Sequence, residues 1–373
     1  MKYYIIAGEA SGDLHGSNLI KALRKNDSKA EFRVWGGDLM EKEDAVLAKH
    51  YRDLAFMGFI EVLFNLFTIL RNISFCKKDI EAFHPDALIF IDYPGFNLRI
   101  AKWAKKQGYT THYYISPQIW AWKEGRIKRI KRDVDHMYVI LPFEKDFYEK
   151  KHGMPVHFVG HPLIDAIYKR NQVDPNEFRK ENGLDDRPII ALLPGSRKQE
   201  ISKMLEVMIS VVDNFKDYQF VIGGAPSQDA SFYEQFIKSN QVHLLLNKTY
   251  DLLSISFAAL VTSGTATLET ALFKVPQVVC YKGNWFSYQI AKRVIKLKYI
   301  SLVNLILDKP VVTELIQTEF NSQRLEDELH KIIEPYNRAS LFLDYYDLEQ
   351  ALGGKGASKK TASLIKSTIA NPG

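Results

Sequence analysis

Short apolar runs ending on glycine, serine, aspartate or proline alternate along this chain with stretches of helical period. "KYYIIAG" at 2–8 gives way to "DLHGSNLIKALRK", and "PDALIFID" at 85–92 gives way to "FNLRIAKWAKKQG". "YTTHYYIS", "HMYVILP" with "FEKDFYEKKHG", and "VHFVG" carry the series to residue 160. The series then restarts with "PIIALLPGS" and "QEISKMLEVMISVV", and continues through "YQFVIGG", "AALVTSG", "TLETALFK" and "PQVVCY". A short apolar run feeding a 3.6-period stretch reads as strand then helix, and its repetition predicts parallel sheets covered by helices. "ALIFI" and "IIALL" are apolar on both faces, as strands between helix layers must be. At about 165–187 the pattern loses its strands, and polar residues gather with Pro175 and Pro188. The expectation is an α/β protein of two Rossmann-like domains, 1–165 and 166–340. A polar helical segment, 341–373, should follow and end in a flexible tail after "LGGKGASKKTA".

Composition narrows this picture. With 373 residues, 46% hydrophobic and 25% charged, the chain can fill two or three cores. "MKYYIIAGEASGD" lacks the apolar region and cleavage site of a signal peptide and reads as a first strand. Cys76 and Cys280 are too few and too far apart for a disulfide framework or a zinc site, which points to a reducing, cytoplasmic compartment. The net charge of +6 suits an anionic partner: nucleic acid, nucleotide or phospholipid. No aromatic-basic RNA signature accompanies it, so nucleic acid is not expected.

Ligands of open parallel sheets bind beyond the carboxyl ends of the strands, so chemistry is sought there. The first half offers Glu9 and Asp13 in "GEASGD", Asp92 after "LIFI", and His161 in "GHP". "GEASGD" is not the G-x-G-x-x-G of dinucleotide sites. The second half offers Gly195, Ser196 and Arg197, then Gly223, then Ser263 to Thr267 in "SGTAT". Each has a plainer reading. Glu9, Asp13 and Asp92 suit turns and caps, His161 an interdomain turn, Arg197 a surface ion pair, and Ser263 or Thr265 an N-cap. Acid/base groups in one half and phosphate-type loops in the other fit group transfer from a nucleotide donor. A guanidinium fork opening a helix matches diphosphate geometry.

"AGEASGD", "IDYPGFN", "SPQIWAW", "LPFEKDFY", "GHPLID", "LLPGSRKQEI", "SGTATLE" and "VTELIQ" occur in that order from the N-terminus to about residue 320. As a set they resemble lipid-A-disaccharide synthase, an inverting glycosyltransferase family of the GT-B fold. The resemblance implies two Rossmann-like domains facing across a cleft, the first for acceptor and catalysis, the second for the UDP-sugar. The C-terminal segment would pack back on the first. It implies transfer from UDP-2,3-diacylglucosamine to 2,3-diacylglucosamine 1-phosphate with no metal and no cofactor. Gly195, Ser196, Arg197, Gly223 and the loop Ser263, Gly264, Thr265, Ala266 and Thr267 would hold the UDP, with Glu269 on the ribose. Asp92 is the first choice for general base, with Glu9 and His161 as alternatives. Two other readings are a different UDP-sugar enzyme, such as an epimerase or a peptidoglycan-precursor transferase, and a non-catalytic basic binder of RNA or membrane.

Acylated substrates require contact with a bilayer. "LAFMGFIEVLFNLFTIL", residues 54–70, is the most apolar stretch and carries one charge, Glu61. It falls short of the ~20 residues of a spanning helix. It reads either as a core helix or as an exposed one presenting Met57, Phe59, Ile60, Leu63, Phe64 and Phe67 to acyl chains. The basic runs "KEGRIKRIKR" at 123–132 and "IAKRVIKLK" at 290–298 suit an anionic surface as well as a solvated helix face. The expectation is a cytoplasmic protein held peripherally on the inner membrane. The oligomeric state has no signature in the sequence.

Overall fold

The structure, a computed structural model, describes residues 1–54, 66–283 and 298–370. The chain forms two compact units: Met1–Asp165 together with Leu352–Gly373, and Ala166–Ala351. The first holds a parallel sheet of β1 (Lys2–Ala7), β2 (Glu31–Gly36), β3 (Val46–His50), β4 (Ala87–Ile91), β5 (Thr111–Tyr114), β6 (His136–Val139) and β7 (His157–Phe158). The second holds β8 (Ile189–Leu193), β9 (Gln219–Gly224), β10 (Val242–Leu246), β11 (Ala258–Thr262), β12 (Gln277–Tyr281) and β13 (Glu314–Ile316). Both sheets are doubly wound, in the orders β3-β2-β1-β4-β5-β6-β7 and β10-β9-β8-β11-β12-β13. The winding reverses between β1 and β4 in one sheet and between β8 and β11 in the other. At such a reversal the two following loops part to opposite faces and leave a crevice. The α/β alternation read from the sequence is therefore the observed architecture.

Each unit has its own core. Tyr4, Ile6, Leu88, Phe90, Ile100, Ile130 and Tyr148 are buried together in the first, and Ile189, Ala191, Val221, Leu252, Ala259 and Val261 in the second. Cys76 and Cys280 are both buried and unpaired. The C-terminal segment differs from expectation in two ways. Helix Pro335–Ala351 runs unbroken within the second unit, with Tyr345 and Leu348 buried, so the chain returns to the first unit at Leu352 rather than at 341. The tail expected to be loose is helical from Ala357 to Ala370, because Ala362 and Ile365 are buried and the helix packs against Ala10–Asn26. Asp165 fastens its start, accepting the Gly356 and Ser358 N–H groups at 2.6 and 3.2 Å.

Two buried histidines make this unit acid-sensitive. His112 shares a 3.0 Å hydrogen bond with Tyr138 and stacks on His136, and burial pushes its pKa down to about 3. Burial, with His15 beside it, pushes His161 down to about 3 as well. Each stays neutral in the folded protein while the unfolded chain takes up a proton near pH 6.5. The stability this represents is whole above pH 6.5 and is lost as the pH falls from 6.5 towards 3. The loss is ~1.4 kcal/mol per pH unit for each histidine. Urea midpoints should therefore fall from pH 7 to pH 5, by less than the two histidines alone would give because Asp92, its pKa pushed up to about 6, takes up a proton in the folded protein over the same range; a rise in the midpoint would contradict the burial of both rings.

Candidate active site

At the reversal of the first sheet, β1 runs into Gly8 and Glu9, and β4 into Asp92 and Tyr93. Asp92 and Tyr93 are consecutive non-glycine residues in the left-handed region, at φ 43° and 48°. Such conformations cost energy and persist where neighbours over-determine them. The neighbours here are specific. The Asp92 N–H donates to the Tyr114 carbonyl at 3.1 Å, and its carbonyl accepts from the Tyr113 hydroxyl at 2.6 Å and the Asn97 amide at 2.8 Å. The buried Asn97 amide also reaches the Ile6 and Ile91 carbonyls, tying β1 to β4. The Tyr93 ring lies on the backbone of Gly8, where an added Cβ would fall 2.3 Å from it. Gly8 thus has no side chain because the aromatic ring needs the space.

This framework turns out the half-buried Asp92 carboxyl. Its pKa is pushed up to about 6, first by loss of water and then by the charges of Glu9 and Glu144, against one stabilising bond from the Tyr93 N–H. A carboxyl near 6 is ionised at neutral pH yet holds a proton far better than an exposed one. Glu9 precedes helix Ala10–Asn26, exposed and capping nothing with its side chain. Glu144 is buried and takes four donors: Ser116 and Trp120 on Oε1, the Ile140 and Leu141 N–H groups on Oε2. It clamps the loop after β5 to the loop after β6. His161 is buried, and its Nδ1 accepts from the Leu163 N–H at 3.2 Å. Asp13 is the cap its plainer reading required, accepting from Gly37, Leu39 and Met40.

In the second unit, the tip of β8 carries Gly195 at φ 103°, with the Glu200 carboxylate tucked beneath it, 2.3 Å from where a Cβ would sit. The Ser196 N–H donates to the same carboxylate at 3.3 Å, and its carbonyl accepts from Ser227 and Gln228. Arg197 follows at the start of helix Lys198–Ile209, exposed and without an ion pair among the described residues. Gly223 lies inside β9, where Leu193 occupies the space of its missing side chain. Its glycine is explained by packing.

The tip of β11 leads into helix Thr265–Leu272 through Gly264. No side chain caps this helix, so the N-cap reading of Ser263 and Thr265 does not hold. The Ser263 hydroxyl turns away to the Ile300 carbonyl at 2.9 Å, and Thr267 bonds back to Gly264 at 2.8 Å. Gly264 and Thr265 are exposed, Ala266 is half-buried and Thr267 buried. The Thr267 N–H turns back to the Gly264 carbonyl at 3.2 Å, so it is the exposed Gly264–Thr265 end of the first turn, with the positive dipole end, that stays open to an anion. Glu269, one turn in, accepts from the Tyr250 hydroxyl at 2.6 Å. Met57, Phe59, Ile60, Leu63 and Phe64 lie outside the described residues, as do Lys292 and Lys296. Phe67 is described and is 85% exposed. No described helix is long and apolar enough to cross a membrane.

Sequence reasoning gave no role to Tyr93 and Asn97, although both stand in "IDYPGFN" directly after β4, and it missed Tyr113, Glu144 and Tyr250. Of these three, Glu144 left a local trace, as a glutamate two residues after a proline at a helix start.

A family profile described as lipid-A-disaccharide synthetase matches residues 3–367. A lipid-A-disaccharide synthase of Syntrophus aciditrophicus (strain SB) is 39% identical over 374 residues, spanning 98% of this chain and 97% of the relative. The solved UDP-GlcNAc 2-epimerase of Neisseria meningitidis, bound to UDP-GlcNAc, superposes with a TM-score of 0.69 at 13% identity, covering 100% of both chains. The glycotransferase of kitacinnamycin superposes with a TM-score of 0.68 at 13% identity, covering 99% of both. At such identities the likeness speaks for the fold alone, the GT-B fold of glycosyltransferases and epimerases. Matched almost end to end by the profile and by a relative of the same description, the chain belongs to the lipid-A-disaccharide synthase family of glycosyltransferases.

Proposed function

We propose that Asp92 is the general base in the reaction this family carries out, the transfer of 2,3-diacylglucosamine from UDP-2,3-diacylglucosamine to 2,3-diacylglucosamine 1-phosphate. The observation that carries it is the strained tip of β4 holding a half-buried carboxyl whose pKa is pushed up to about 6. The acceptor 6-hydroxyl gives its proton to Asp92 as its oxygen bonds to the anomeric carbon. The bond from that carbon to the diphosphate breaks with its electron pair, and UDP leaves. Attack opposite the leaving group inverts the centre and gives the β-1,6-linked disaccharide 1-phosphate. Glu9 and Glu144 act through their charge on Asp92. His161, with a pKa near 3, is too weak a base to take the proton at neutral pH.

The first unit receives the acceptor and the second the UDP-sugar. Arg197, the Gly195–Ser196 turn and the open helix end at 264–267 hold the leaving diphosphate without a metal, so EDTA leaves turnover unchanged. Glu269 reads the ribose. The test is a transfer assay with both defined substrates. Disaccharide should form only when donor and acceptor are both present; an epimerised donor formed without acceptor would overturn the reading.

The same reading places the protein in the cytoplasm, held peripherally on an anionic inner-membrane face. Phe67 and Leu70 are exposed at 85% and 54%, and Trp122 is exposed with Lys123 Nζ 4.1 Å from its ring centre, within the basic run 123–132. Basic residues near an anionic surface contribute ~1 kcal/mol each, and salt screens them. The protein should sediment with phosphatidylglycerol vesicles at low salt and be released at high salt; indifference to these vesicles would contradict this.

A further inference from the structure

Glu269 is oddly furnished for a half-buried carboxylate. Among the described residues its one hydrogen bond comes from the Tyr250 hydroxyl, at 2.6 Å to Oε1. Among the described residues no cation pairs with it, and the arginine that lies against the Tyr250 ring is engaged elsewhere. The Arg170 guanidinium lies 5.1 Å from the centre of the Tyr250 ring and 5.9 Å from that of Phe273, yet it is paired with Asp251. The Tyr250 ring also packs on Phe273 at 5.4 Å. Tyr250 and Asp251 both sit on helix Thr249–Ile255, so the ion pair grips the element that carries the phenol. Burial pushes the Glu269 carboxyl up, and the Tyr250 hydroxyl pulls it back.

A carboxylate paired with arginine has its acceptor sites filled by a fork of donors. One held by a single phenol has a fixed orientation and keeps its second oxygen for another donor. We propose that Tyr250 is a positioning residue that aims Glu269 at the 2′-hydroxyl of the donor ribose, while the Arg170–Asp251 pair clamps the Tyr250 ring. This rests on the reading of Glu269 as the ribose contact. It assigns to Tyr250 and Arg170 a share in telling ribonucleotide from deoxyribonucleotide.

The test is calorimetric binding of UDP and 2′-deoxy-UDP to the full chain. The wild type should prefer UDP by roughly 10- to 150-fold, the range for a charge-assisted hydrogen bond. Tyr250→Phe keeps the ring and its packing but removes the hydroxyl. It should weaken UDP several-fold and 2′-deoxy-UDP hardly at all, so the preference shrinks. A merely structural tyrosine would weaken both ligands equally, and that result overturns the proposal. Glu269→Gln separates the two layers. If it keeps the full preference, the ribose reading itself is wrong. If it loses the preference while Tyr250→Phe retains it, only the role of Tyr250 is wrong. Asp251→Asn, which breaks the ion pair that holds the helix of Tyr250 against Arg170, is the second variant should Tyr250→Phe not fold. It should also shrink the preference, and an unchanged preference there counts against the clamp.

Discussion

Asp92→Asn should lower turnover by ~10²–10⁴-fold, the range supplied by a positioned base, while leaving UDP affinity within about twofold. Asparagine keeps the shape and tolerates the left-handed backbone at φ 43° better than most residues, so the loop should survive. What it lacks is a site for the hydroxyl proton. The pH dependence gives a second signature. In the wild type, kcat/KM should fall below an apparent pKa of about 6, because protonated Asp92 cannot act as a base. Glu9→Gln removes a negative charge that holds the proton on Asp92, so the acid limb should move to lower pH. If Asp92→Asn keeps near-normal turnover while Glu9→Gln or His161→Gln abolishes it, the base is that other residue.

Arg197→Ala should weaken UDP by ~1.5–3 kcal/mol, about 10- to 150-fold, as expected for loss of charge-assisted hydrogen bonds to a diphosphate. The side chain is exposed and has no ion pair among the described residues, so its removal strands no buried charge and should leave the melting temperature within a degree or two. Arg197→Lys restores the charge but not the fork, and should recover only part of the affinity. Because the guanidinium faces solvent, the wild-type affinity should also fall with added salt. Calorimetry that finds UDP affinity unchanged in Arg197→Ala would remove this residue from the donor site.

The strands most legible in the sequence were those buried on both faces, although β7, with no buried residue, was also read from "VHFVG". β4, "ALIFI", and β8, "IIALL", have no exposed residue and read as apolar runs. β3, β10 and β13 flank the sheets or mix half-exposed positions with buried ones, so "VLAKH", "VHLLL" and "ELI" carry weaker patterns. β2, "EFRVWG", hides behind Arg33, whose guanidinium pairs with Asp79 on a distant helix. The same division holds for the site. Asp92 was legible because a carboxylate directly after a buried strand is conspicuous. The Tyr113 hydroxyl and Asn97 amide that shape its loop, and the Glu144 charge that acts on it, were not, since each reaches it through the fold. Loop chemistry misled where hydroxyls had a choice: Ser263 found the Ile300 carbonyl rather than the helix end.

The most direct test is to mix defined UDP-2,3-diacylglucosamine with 2,3-diacylglucosamine 1-phosphate and the purified protein, and to read the product by proton NMR. The account predicts a β-1,6-linked disaccharide 1-phosphate and UDP in equal amounts, with neither formed at a comparable rate by Asp92→Asn. An α-linked product, or UDP released without a new glycosidic bond, would contradict in-line transfer to a hydroxyl deprotonated by Asp92.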